Sequence, residues 1–150
     1  MSEHKVCLTW SNEGDDFSYQ KYDRTHLWTF EGGTLIKASA AVEYLGKEEL
    51  VNPEEAFAAS LSACHLLTFL SVASRKRYTV ASYEDNAVAI LEKNEKLKLA
   101  VTKVYLRPKI KFTGENIPDQ AIIDEMHHRS HLECFIANSV LTEIIIEPVY

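Results

Sequence analysis

Two cysteines in unusual surroundings set the chemistry open to this 150-residue chain. Cys64 lies in Ala59-Ser60-Leu61-Ser62-Ala63-Cys64-His65, where small residues would let a backbone or a substrate come close to the sulfur. A thiol is a nucleophile only as thiolate, and an unperturbed cysteine supplies little of it at neutral pH. About three turns into a helix, Cys64 is beyond the reach of the helix dipole, which fades after the first turn. A nearby cation must therefore do the activating, and Arg24, His65, His131 and Arg129 are the candidates. Cys134 follows seventy residues later in His131-Leu132-Glu133-Cys134-Phe135-Ile136-Ala137-Asn138-Ser139, so any pairing of the two is tertiary. In a reducing compartment such a pair would be transient and catalytic, cycling through sulfenic acid and disulfide. The bland alternative is two independent cysteines, each a small buried hydrophobe. Cys7, in the first strand-like run, is expected to be structural.

Two other chemistries compete. His127 and His131 are four apart on one helix face with Cys134 a turn further on, a spacing open to zinc, but no CxxC and no fourth ligand support it. No metal and no cofactor are expected. A Cys/His hydrolase would need a base for Cys64, and His65 points about 100° away around the helix. There is no nucleophile elbow, no Gly-rich phosphate loop and no GxGxxG.

These residues need elements to hold them. Lys5 to Trp10, Phe17 to Tyr22, His26 to Phe30 and Leu35 to Ser39 are rich in aromatic and β-branched residues and are punctuated by Gly14-Asp15 and Gly32-Gly33, which predicts a three- or four-stranded antiparallel meander. Asn52-Pro53-Glu54-Glu55 is a helix start, with Asn52 as N-cap and Glu55 placed to complete a capping box. The helix that follows, to about Ser74, carries apolar residues all round, as expected of a central helix sheathed by protein on every side. Arg75-Lys76-Arg77 suits its negative end. Tyr78 to Leu91 and Lys98 to Phe112 are two long strand-like runs flanking a polar turn, with Pro108 marking an edge or a bulge. A second helix from Pro118 to about His131 and a final strand, Leu141 to Val149, complete the order β-β-β-α-β-β-α-β. That is an α+β protein with helices packed on a mostly antiparallel sheet.

Length suits one domain, residues 1 to 150, able to bury roughly 70% of its unfolded surface without staples. A hydrophobic share of 46% with 5 Gly and 4 Pro excludes collagen-like and low-complexity chains. The net charge of -6 opposes nucleic-acid binding, since the one basic cluster is three residues long. No run approaches the ~18 apolar residues of a membrane span and the N-terminus has no apolar signal region, so a cytoplasmic protein without membrane contact is expected.

Asn52-Pro53-Glu54-Glu55-Ala56-Phe57-Ala58-Ala59-Ser60-Leu61-Ser62-Ala63-Cys64-His65 resembles the central-helix motif of the OsmC/Ohr family, the osmotically inducible and organic hydroperoxide resistance proteins. The region from His131 to Ser139 and the order of elements are similar to that family too, so the resemblance spans essentially the whole chain. It implies an intertwined homodimer and a thiol peroxidase reducing organic hydroperoxides and hydrogen peroxide. By position, Cys64 matches the peroxidatic cysteine, Cys134 the resolving cysteine, Glu54 the active-site carboxylate, and Arg24 the arginine that pairs with it. The implied reductant is a dithiol, which for some relatives is a lipoylated protein. Many members have Cys-Pro at the second cysteine, where this chain has Cys134-Phe135, and the chain is most similar to a less characterised OsmC-like branch. Phe57, Leu61, Phe135 and Ile136 are the apolar neighbours expected to bury an alkyl hydroperoxide tail. The competing reading is a non-catalytic protein that holds a hydrophobic ligand on the same dimeric scaffold.

Overall fold

The computed structural model describes all 150 residues, which form two compact units, Met1–Ala56 and Phe57–Tyr150. In the first, β1 (Val6–Thr9), β2 (His26–Phe30) and β3 (Leu35–Ala38) form an antiparallel meander in that order. Gly33 takes a φ of 85° in the β2–β3 turn, a conformation that costs glycine no steric penalty. Phe17 to Tyr22, expected as a strand, is a turn instead. Asp16 Oδ1 accepts from the Ser18 N–H at 2.9 Å, and Ser18 O in turn takes the N–H groups of Lys21 and Tyr22. This local side-chain bonding competes with a ladder, and the aromatic rings gain burial by stacking: Phe17 lies 5.7 Å from Trp10 and 5.1 Å from Tyr22. Cys7, on edge strand β1, is a free, exposed cysteine.

The long helix α1 (Pro53–Arg75) begins where the first unit ends and runs unbroken through the motif that carries Cys64. Its capping box is formed in both directions: Glu55 N donates to Asn52 Oδ1 at 2.9 Å, and Asn52 N donates to Glu55 Oε2 at 3.0 Å. By length and mean hydropathy α1 could cross a bilayer, although no run of consecutive apolar residues in it is that long. It is instead a core helix with one buried stripe, Ala58, Leu61, His65, Phe69 and Val72. The sheathing expected on every side is absent. Ala59, Ser60, Ala63 and Leu67 are exposed on the opposite side, with Leu67 67% exposed.

In the second unit each long strand-like run is broken in two, giving β4 (Thr79–Asp85), β5 (Val88–Lys93), β6 (Leu99–Leu106) and β7 (Pro108–Thr113). β4 pairs antiparallel with β7 and β5 with β6, so the expected single hairpin becomes two small sheets. α2 (Gln120–Glu133) follows, capped by Asp119, whose carboxylate accepts from Ile122 N at 2.9 Å. β8 (Glu143–Ile146) then joins β6 in parallel. The chain is thus an α+β fold with antiparallel-dominated sheets, ordered β-β-β-α-β-β-β-β-α-β.

Two apolar clusters fill this unit. Ala58 and Leu61 of α1 meet Val104 and Leu106 of β6, while Phe69, Val72 and Ala73 meet Met126 of α2. At the strand breaks, Asp85 joins the parts: Oδ1 accepts from Arg107 N at 2.6 Å and Oδ2 from Ser62 Oγ at 2.5 Å. The break before Pro108 frees the Arg107 N–H, and a half-buried backbone donor needs a partner. Asp85→Ala should therefore cost about 2–3 kcal/mol in urea unfolding, since two partners of a charged acceptor are orphaned at once. A loss below about 0.5 kcal/mol would mean that water takes over both hydrogen bonds.

Candidate redox site

Cys64 and Cys134, seventy residues apart in sequence, are neighbours in the second unit, both as free thiols. Cys64 is half-buried in α1, and Cys134 ends α2 as its C-cap, with 1% exposure. Burial pushes the Cys134 thiol well above the ordinary range, and Cys64 pushes it further through a hydrogen bond and its charge. Ala137 N donates to Cys134 Sγ at 3.4 Å and acts in the opposite sense. Cys134 is thus a protonated thiol beside a second sulfur.

Beneath this pair lies a group of imidazoles. His65, one residue from Cys64, points into the core and shares a hydrogen bond with His127 of α2, Nε2 to Nδ1, at 3.0 Å. The rings lie within 6° of parallel, and Phe69 covers His127 with ring centroids 4.5 Å apart. Burial lowers the His65 pKa to about 3, helped by the charges of His127 and then His131. Burial lowers His127 to about 4 against the opposing pull of Asp124. Both rings are neutral at physiological pH. His127 Nε2 and His131 Nδ1 are buried without hydrogen-bond partners. No three His, Cys, Asp or Glu side chains are grouped so that they could hold a metal ion. Sequence reasoning passed over His65 and His127 as a pair; the available signal was His65 falling on the Leu61, Phe69, Val72 stripe, where a polar residue requires a partner.

Of the proposed activating cations in this unit, Arg129 is spent on Glu133 at 2.8 Å on an exposed face. In the first unit, Arg24 and Glu54 line one cleft of about 580 Å³ together with Tyr19, Tyr22 and Tyr44. They form no ion pair there. The Arg24 guanidinium donates to Tyr22 O at 3.0 Å and Tyr19 O at 2.7 Å, and sits 3.9 Å above the Tyr22 ring. The four residues expected to hold a substrate tail do not share a pocket within the chain. Leu61 is core at 1% exposure, Phe57 lines a separate cleft beside Lys93 and Val101, and Phe135 and Ile136 are exposed.

The α+β fold and its cysteine-bearing central helix define an OsmC-type protein, and residues 46–148 match the family model described as OsmC-like protein. The chain belongs to this family. It is similar over 99% of its length, and all of the other chain, to an OsmC-like protein of unknown function from Vibrio cholerae, at 49% identity and a TM-score of 0.96. The fold is shared with the organic hydroperoxide resistance protein OhrB of Bacillus subtilis, at 18% identity and a TM-score of 0.69 over 99% and 98% of the two chains. It is also shared with an organic hydroperoxide resistance protein from Elizabethkingia anophelis, at 16% identity and a TM-score of 0.72 over 99% and 94%. No curated protein sequence matches the chain.

The neutral histidine pair predicts a pH dependence of stability. Both folded pKa values lie below the unfolded value near 6.5, so on acidification the unfolded chain takes up protons first. The contribution is fully present above about pH 6.5 and is lost as pH falls toward the folded values near 4 and 3. Urea unfolding from pH 7 to pH 5 should show stability falling with a slope approaching about 1.4 kcal/mol per pH unit for each histidine. A His65→Leu/His127→Leu protein should lose most of that slope, and an unchanged slope would place the acid sensitivity elsewhere.

Proposed function

We propose that the protein is a thiol-dependent peroxidase that reduces organic hydroperoxides and hydrogen peroxide. The observation that carries this reading is the meeting of Cys64 and Cys134 from opposite ends of the second unit, one half-open and one sealed. Cys64 thiolate attacks the terminal peroxide oxygen, the O–O bond breaks, and the alkoxide leaves as alcohol with a proton. Cys134 then attacks the Cys64 sulfenic acid, forming a disulfide and releasing water. An external dithiol, of the lipoyl type, returns both cysteines to thiols. Family membership and the fold shared with organic hydroperoxide resistance proteins support this chemistry.

Arg24 supplies a charge that no pH removes and donors for the departing oxygen, with the Glu54 carboxylate on the same cleft wall. In an unbroken α1, Glu54 stands about 15 Å along the axis from Cys64, beyond any carboxylate side chain. The working unit is therefore a homodimer, in which residues 1 to 150 act as one domain and Glu54 of one chain serves Cys64 of the other. The open face of α1, small at Ala59, Ser60 and Ala63 and apolar at Leu67, suits a close helix crossing. Phe57, Phe135 and Ile136 then become walls for an alkyl tail, with Leu61 behind them, in a cytoplasmic enzyme that needs no metal or cofactor.

Hydroperoxide consumption with a dithiol tests this reading. Cys64→Ser should lower turnover at least about a hundredfold, because a hydroxyl cannot replace the thiolate. Turnover within tenfold of wild type would sink the mechanism. Cys134→Ser should complete one oxidation and then gain further oxygens on Cys64 under excess peroxide. For the composite site, co-refolded heterodimers of Cys64→Ser and Glu54→Gln chains should regain activity that neither homodimer has. An inactive, verified heterodimer would show that each chain builds its own site.

A further inference from the structure

If Cys134 is the resolving thiol, it has to lose its proton in a place that hinders the loss. It borders a crevice of about 150 Å³ that leaves no space for a water-sized sphere. The walls are aliphatic, among them Leu61, Leu106 and Ile144, apart from two imidazoles, His65 and His131. With water excluded, a side chain must accept the proton, and only these two lining groups carry a basic nitrogen. His65 has its Nε2 committed to His127. His131 has a buried Nδ1 with no partner, although a buried polar atom is normally satisfied.

We propose that His131 is the acid–base catalyst of the resolving step, taking the thiol proton from Cys134 and handing a proton to the oxygen that leaves Cys64. The inference rests on the peroxidase reading for its place in the cycle. As the Cys134 thiol gives its proton to His131, its sulfur pair attacks the Cys64 sulfenic sulfur. The S–S bond forms, the Cys64 S–O bond breaks, and the oxygen departs with the returned proton as water. Cys134 is oxidised and the sulfenic sulfur reduced to the same disulfide level, and His131 ends as it began. The groups against His131 suit this role. From α1 comes neutral His65, and from α2 neutral His127; β6 and β8 offer only uncharged Leu106 and Ile144. The Arg129–Glu133 pair is compensated at the surface. An orphaned nitrogen three residues before the sulfur it serves is thereby given a partner in the reaction.

The test needs no peroxide. On a Cys7→Ser background, Cys64 is converted to a mixed disulfide with nitrothiobenzoate, and attack by Cys134 is followed as release of the coloured thiolate. Release at pH 7 should slow at least about tenfold in His131→Gln, in line with the loss of a general base. The variant's rate should then climb about tenfold per pH unit as hydroxide supplies the thiolate, whereas the wild type flattens toward neutral pH. His128→Gln, exposed on the same helix, should match the wild type. A His131→Gln rate within twofold of wild type with the same pH profile would overturn the proposal. Should the variant lose its helical signal, the wild-type profile decides alone: a tenfold rise per unit from pH 6 to 9 without a plateau also overturns it. Histidine-dependent release in a protein that consumes no hydroperoxide would support His131 as the base for Cys134 and reject the peroxidase reading.

Discussion

The packing of α1 against α2 is the constraint on which the candidate redox site depends. Phe69, Val72 and Ala73 bury against Met126, and the His65–His127 hydrogen bond ties the two helices at a fixed height. An apolar contact alone tolerates sliding, but a buried polar pair is satisfied at one register only, and its disruption leaves two groups unpaired. One residue along α1 from His65 stands Cys64, and α2 ends at Cys134. The same contact that orders the core therefore sets the two sulfurs side by side.

The faces of α1 divide the labour. Inward, large residues and His65 form the core; outward, Ala59, Ser60 and Ala63 leave a shallow strip with Leu67 beside it. Cys64 lies half-buried between these faces and Cys134 is sealed behind it, the depth order that the proposed attack and resolution call for. The sealed position of Cys134 beside Cys64 keeps it a thiol. In the proposed cycle, its attack on Cys64 needs a base in a dry crevice.

Much of this was legible in the residues. Asn52 and Glu55 announce a reciprocal cap, and both hydrogen bonds are formed. The α+β class and the two helices follow from changes of period, within a few residues of the observed ends. The split of each long strand run was hidden because it depends on Asp85 reaching Arg107 N and Ser62 across more than twenty positions. The turn at Phe17 to Tyr22 was hidden because aromatic residues favour strands and aromatic stacks alike. The expectation of a wholly buried α1 came from its all-round apolar composition, which cannot distinguish cover by the same chain from cover by another. The His65–His127 pair escaped notice because each histidine has the bland alternative of a surface residue until its partner is known.

The most direct test of the central claim is to treat reduced protein with one equivalent of an alkyl hydroperoxide, block free thiols, and map the non-reduced digest by mass. The Cys64–Cys134 pair predicts a cross-linked peptide joining the α1 segment to the segment after α2, lighter by two hydrogens than its parts. Recovery of both cysteines as blocked free thiols, with the hydroperoxide intact, would contradict it.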